Sequence, residues 1–269
     1  MTLRIASLVP SITELLVVLG LREHLIARTG FCIHPAAALA DVPKVGGTKD
    51  VNIGRLRALA PTHVIVNVDE NRLETVQALR EFVPEIIVTH PQGPQDNLQL
   101  LVQMRVHFGA AVPGLASRCE ALADELALAL DRCRQQPWPG ERVLYLIWRE
   151  PWMTVARDTY ISRMLAEVGW RTWPEVDGGV AGAARYPVLA GDEPWLGGIE
   201  RVLLSSEPYR FDAGNLPLAQ RLCPQARVQL VDGELLSWYG PRAAAGLDYL
   251  RDLALATRSI ERRQMTSPP

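Results

Sequence analysis

Short apolar runs rich in Val, Ile and Leu alternate along this chain with longer segments of helical period. Ile5 to Val9 reads as a strand. Ser11 and Glu14 are spaced as a capping box that opens a helix ending at Gly20. Leu25 to Ala27, His63 to Val68 and Glu85 to Thr89 read as further strands, and residues 53–59, 72–82 and 97–108 as helices. Residues 115–135 are rich in Ala, Leu and Glu with no interior Gly or Pro, which predicts about 30 Å of helix at about 1.5 Å per residue. Gly114 precedes that helix and Pro137-Trp138-Pro139-Gly140 closes it. The pattern then restarts. Val143 to Trp148, Val202 to Leu204 and Val228 to Val231 read as strands, and residues 159–168, 216–222 and 241–256 as helices, with a frayed tail from Arg262 to Pro269.

This alternation is the α/β pattern. It predicts two α/β lobes, residues 1–112 and 139–269, bridged by a long rigid helix within residues 113–138, with a ligand cleft between the lobes. In open parallel sheets the ligand sits beyond the carboxyl ends of the strands. The residues that follow the strands are therefore the candidates. In the first half these are Pro10 and Ser11, then Phe31, Cys32 and His34, then the turn Gly46-Gly47-Thr48-Lys49, then Asp69 and Glu70. In the second half they are Trp148, Arg149, Glu150 and Trp152, then Ser205-Ser206-Glu207, then Trp238, Tyr239 and Arg242. Trp148 continues an apolar strand and fits core and cleft equally. Trp152 and Trp238 follow loops and read as exposed. Arg149 beside Glu150 also fits a solvated ion pair.

Composition narrows the function classes. The chain has 269 residues, 48% of them hydrophobic, enough for one large or two ordinary domains. A net charge of −2 gives no pull toward nucleic acid or an anionic membrane. No run approaches the roughly 18 apolar residues a span requires. The four cysteines are widely spaced, without the pairing of a zinc knuckle, a redox motif or a disulfide scaffold. G-x-S-x-G, H-E-x-x-H and G-x-G-x-x-G are absent, and Gly46 to Lys49 lacks the order of a phosphate loop. No nucleophile is paired with a base, so the reading is non-enzymatic, with no intrinsic cofactor or metal. Met1 to Arg4 leads straight into the first strand, which reads as a cytoplasmic chain as written, or a periplasmic one from which a leader was removed.

Four stretches, in order, cover nearly the whole chain: "ASLVPSITELLVVLGL", "KVGGTKDVNIGRLRALAPTHVIVNVDENRLETVQAL", "RVLYLIWREPWMTVARDTYISRML" and "LVDGELLSWYGPR". They resemble the class III substrate-binding proteins of ABC importers, most closely the cobalamin-binding branch. The resemblance implies two α/β lobes on a rigid helix, a monomer that closes little on binding, and a metal-containing ligand. Cobalamin or another corrinoid comes first, with a ferric siderophore or haem as the alternative. A cytosolic enzyme or ligand chaperone on this fold is the alternative of another class. Trp148, Trp152, Trp238 and Tyr239 would stack on the ligand, and Arg149 and Arg242 would hold its polar or phosphate groups. Phe31 and Pro10 would line the opposite lobe with Ser11, Cys32, Gly47 and Thr48, and His34 could supply an axial imidazole. Glu70 or Glu74, paired with Glu207, would dock on arginines of an ABC permease. The sequence departs from the family where Cys32-Ile33-His34-Pro35 replaces Cys-Asp-Tyr-Pro, removing an acid and a phenol. It departs again over residues 186–199, which are too short and Gly/Pro-rich for the usual helix.

Overall fold

The computed structural model describes residues 2–266, with side chains through Arg258. By contact the chain divides into two compact units. One comprises the chain to Pro91 with Gln95–Asp124 and Tyr239–Pro241, and the other Gln92–Pro94, Glu125–Trp238 and the chain from Arg242.

The first unit holds β1 (Ile5–Ser7), α1 (Pro10–Val18), β2 (Leu25–Arg28), α2 (Ile53–Ala58), β3 (His63–Asn67), α3 (Leu73–Leu79), β4 (Glu85–Thr89) and α4 (Asp96–Phe108). Its sheet is parallel throughout, in the order β2-β1-β3-β4. Val64, Ile65 and Val66 are all buried, as a central strand covered on both faces requires. Ala6, Leu8, Ala27, Leu56 and Leu79 pack with Val64 and Val66. The Ser11–Glu14 capping box does not form. Helix α1 starts two residues earlier than a Ser11 cap would place it, at Pro10, with Val9 as a cap that makes no side-chain bond. Proline suits the first helical position because its fixed φ is already helical and it has no N–H to leave unpaired. Ser11 then falls inside the helix and is buried.

The second unit repeats the scheme. It holds β5 (Glu141–Leu146), α6 (Tyr160–Ala166), β6 (Trp170–Thr172), β7 (Arg201–Ser205), α7 (Leu216–Leu222), β8 (Arg227–Val231), α8 (Gly233–Ser237) and α9 (Ala243–Thr266). The sheet order β6-β5-β7-β8 is the same permutation, again parallel. Leu144, Leu146, Val202, Leu204, Ile199 and Phe211 form its core. Two elements escape a sequence reading because they are so short: β6 has three residues, and α8 is a single turn capped by the Asp232 carboxylate accepting from Leu235 N at 3.0 Å. Residues 186–199 carry only a short 3-10 turn over Pro194–Gly198, in line with their composition. Helix α9 continues past Arg262, where the tail was predicted to fray, to Thr266; residues 267–269 lie outside those described. The division between units falls inside α5 (Leu115–Arg134), after Asp124. No helix among the described residues is long and apolar enough to cross a membrane.

Candidate functional site

In the first unit the segment after β2 is held by a buried arginine at that strand's end. The Arg28 guanidinium donates to Cys32 O at 2.9 Å and Leu39 O at 3.0 Å, while its backbone N–H and C=O bond Pro43 O and Val45 N. These bonds fold Thr29 to Leu39 into a fixed loop, and the buried charge is matched by carbonyl dipoles. Cys32 points inward, fully buried, with Sγ 3.1 Å from Thr29 Oγ1, and burial pushes its thiol pKa up. The expectation that Cys32 lines a ligand surface is therefore corrected, as is that for Ser11. What the loop presents outward is Phe31, 62% exposed, with Ile33 beside it. The Phe31 ring lies against Gly47, where an added Cβ would sit 3.3 Å from it, so the absence of a side chain at 47 makes room for the ring. Gly46 to Asp50 is the expected tight turn, with φ of +102° at Gly46 and Gly47 N donating to Asp50 O. Pro10, His34 and Thr48 are half-buried.

The turn and the end of β3 are tied by asparagines. Asn71 Nδ2 donates to Thr48 O at 2.9 Å and Leu8 O at 3.2 Å, and its Oδ1 accepts from Asn67 N at 2.8 Å. Glu70 is half-buried, and its carboxylate accepts the Tyr239 hydroxyl at 3.0 Å. Tyr239 itself is buried, and its hydroxyl pKa is raised, by burial first and then by the Glu70 charge. Gly240 N donates to Asn97 Oδ1 at 2.6 Å, so residues 239–241 belong to the framework of this unit rather than to an exposed aromatic wall.

In the second unit the strand that ends in "WREPW" resolves into two roles. Trp148 is 40% exposed, with its ring edge-on to Tyr209 at 5.6 Å between centroids. Trp152 is half-buried and stacks on Phe211 at 6.0 Å with 12° between planes, packed on the core. A backbone turn joins them: Ile147 N and Met153 N bond Met153 O and Trp148 O, and Glu150 sits between at φ +66°. Arg149 pairs with Glu150 at 2.8 Å. Tyr209 is the residue that sequence reasoning passed over. Its signal was the same one used elsewhere, an aromatic in the segment after a core strand.

Trp238, expected to be exposed, is 7% exposed. Its indole N–H donates to Glu207 Oε1 at 2.6 Å, as does Ser237 Oγ at 2.6 Å. Arg242 lies over the Trp238 ring at 4.7 Å and pairs with Glu234 at 2.5 Å. Glu207 is therefore a half-buried acceptor rather than a projecting acid, and its pKa is raised, mainly by burial. Among Glu70, Glu74 and Glu207, only Glu74, in the first turn of α3, is exposed. Among the described residues no group of three His, Cys, Asp or Glu side chains is placed to hold a metal ion.

A family model described as periplasmic binding protein matches residues 5–184. No curated protein matches the sequence. Among solved structures, the periplasmic vitamin B12 binding protein BtuF of Vibrio cholerae superposes with a TM-score of 0.78 at 17% identity, over 95% of this chain and 97% of that one. The periplasmic heme-binding protein RhuT of Roseiflexus sp. RS-1, in apo form, gives 0.73 at 24% identity over 95% and 98%. A periplasmic heme binding protein of Pseudomonas aeruginosa gives 0.75 at 21% identity over 94% and 92%. At these identities the likeness is one of fold.

Proposed function

This chain belongs to the periplasmic binding protein family, and from that premise we propose that it binds a corrinoid, cobalamin first, as the substrate-binding component of an ABC importer acting in the periplasm. The observation that carries the reading is Trp148, a large ring left exposed at the end of a core strand and braced by Tyr209. A flat macrocycle face suits such a ring, and truncating an anchor of this kind commonly costs about 2 kcal/mol or more of binding energy. Phe31 offers a second exposed ring on a loop fixed by Arg28.

Electrostatics favour a neutral, amide-edged ligand over a carboxylate-bearing one. The two arginines assigned to the ligand are already matched by acids, Arg149 by Glu150 and Arg242 by Glu234. A haem would bring two carboxylates to cations that are in use. The names of the neighbours supply both candidates, vitamin B12 for one and heme for others. Isothermal titration with cyanocobalamin, aquocobalamin and haemin separates them. Heat with the cobalamins supports the reading, and silence with both overturns it. Haemin binding alone transfers the site to haem. A visible-spectrum shift of aquocobalamin on binding that is lost in His34→Ala would add the axial imidazole.

A further inference from the structure

The second unit has a cavity at the other end of its sheet, where β5, β6 and β7 begin. It measures about 160 Å³ and is walled by Trp138, Val168, Trp170, Ala254, Arg201 and Arg258. Pro139, Gly140 and Glu200 also line it and are exposed, so it opens to solvent on their side. Cavities of about 150 Å³ accept a benzene ring, which sets the size of an occupant. Two indoles on the wall suit an aromatic one.

The charges decide the rest. Arg201 is 1% exposed, an expensive place for a guanidinium. It donates to Glu141 Oε1 at 2.8 Å and Gln229 Oε1 at 3.2 Å and lies over the Trp170 ring at 4.6 Å, yet its buried Nε has no acceptor. Glu200 is occupied as well: its carboxylate accepts from Arg142 N at 2.7 Å and faces the Arg142 guanidinium at 3.8 Å. Arg258 lies over Trp138 at 5.7 Å and donates to Pro137 O, with no carboxylate partner among the described residues. Among the described residues each lining acid thus has its own arginine, and one positive charge and one buried donor are left over. A Glu141–Arg201 staple would account for the buried charge. It would not account for an indole-walled cavity with a surplus cation beside it.

We propose that this cavity is a second binding site, for a small single-ring aromatic carboxylate whose ring lies among the indoles and whose carboxylate meets the arginines. The site stands apart from the strand ends that carry the corrinoid reading and does not depend on it. The probe is benzoate, with benzamide as its neutral counterpart, followed by saturation-transfer NMR and titration calorimetry on the full chain. Benzoate should bind saturably, and benzamide about tenfold more weakly, the usual order for losing one charge-assisted contact. Arg258→Gln should weaken benzoate by about the same factor with the melting temperature unchanged. Ala254→Leu, which fills the cavity, should abolish binding; if that variant is destabilised, Arg258→Gln alone decides. No saturable binding up to about 10 mM, at the weak end of the affinity scale, overturns the proposal. So does benzoate binding that is equal in wild type and Arg258→Gln.

Discussion

Replacing Glu207 separates two accounts of that residue, a docking acid and a buried anchor. In the structure its Oε1 accepts two bonds of 2.6 Å, from Ser237 Oγ and the Trp238 indole. Hydrogen bonds to a charged group are worth about 1.5–3 kcal/mol each, and Glu207 is only half-buried, so water recovers part of the loss. Glu207→Ala should therefore cost about 3 kcal/mol of stability, most of it from a buried indole N–H left without an acceptor. Glu207→Gln keeps one oxygen for both donors and removes the charge. The pH dependence fixes the sign. Burial raises the carboxyl pKa above its unfolded value, so the native state holds the proton where the unfolded chain has released it. That contribution is full below the unfolded value, near about pH 4.3, and is lost as pH rises through the folded value. Glu207→Gln escapes the loss and should equal or exceed wild type at pH 7, with the difference vanishing toward about pH 4. Urea unfolding followed by tryptophan fluorescence at both pH values measures this. A cost under about 1 kcal/mol for Glu207→Ala, or a Gln variant as unstable as the Ala variant, refutes the anchoring argument. If the anchor stands, loss of uptake after charge reversal at Glu207 reports a folding defect. Permease docking is then better tested by Glu74→Arg, whose side chain is exposed.

Two further substitutions follow from burial and bonding. Trp148→Ala should weaken cobalamin binding at least about tenfold with little change in melting temperature, whereas Trp238→Ala should cost about 3–5 kcal/mol of stability; calorimetry and thermal melts check both, and the reverse pattern would show that the two rings have been assigned the wrong way round. Arg28→Ala removes the bonds to Cys32 O and Leu39 O and should cost about 3 kcal/mol while raising chymotrypsin cleavage after Phe31; an unchanged cleavage rate would mean that the loop is held by something else.

The element order could be read from the sequence because parallel strands buried on both faces appear as unbroken apolar runs, and the helices between them carry their own period. Residues 53–59 and 63–68 were found within two residues for that reason. Local chemistry was less secure. Ser11 and Glu14 have the spacing of a capping box, but the proline before them moved the helix start by two residues. Three-residue β6 and five-residue α8 are too short to show a period at all. Phe31 could be nominated from its place after a strand, and the structure does expose it.

The sequence by itself determined the two repeated α/β units and the set of residues that follow their strands, since both depend on patterns a few residues long. Tertiary structure decided which of those residues face solvent. Trp148 and Trp238 look alike in the chain, each an indole beside a loop. One is left 40% exposed, with its ring edge against Tyr209. The other is 7% exposed because Glu207, 31 residues away, supplies an acceptor for its N–H and Arg242 covers its face. Burying an indole N–H without a partner carries a cost, and for Trp238 the partner that removes it arrives from a distant part of the chain through the strand order.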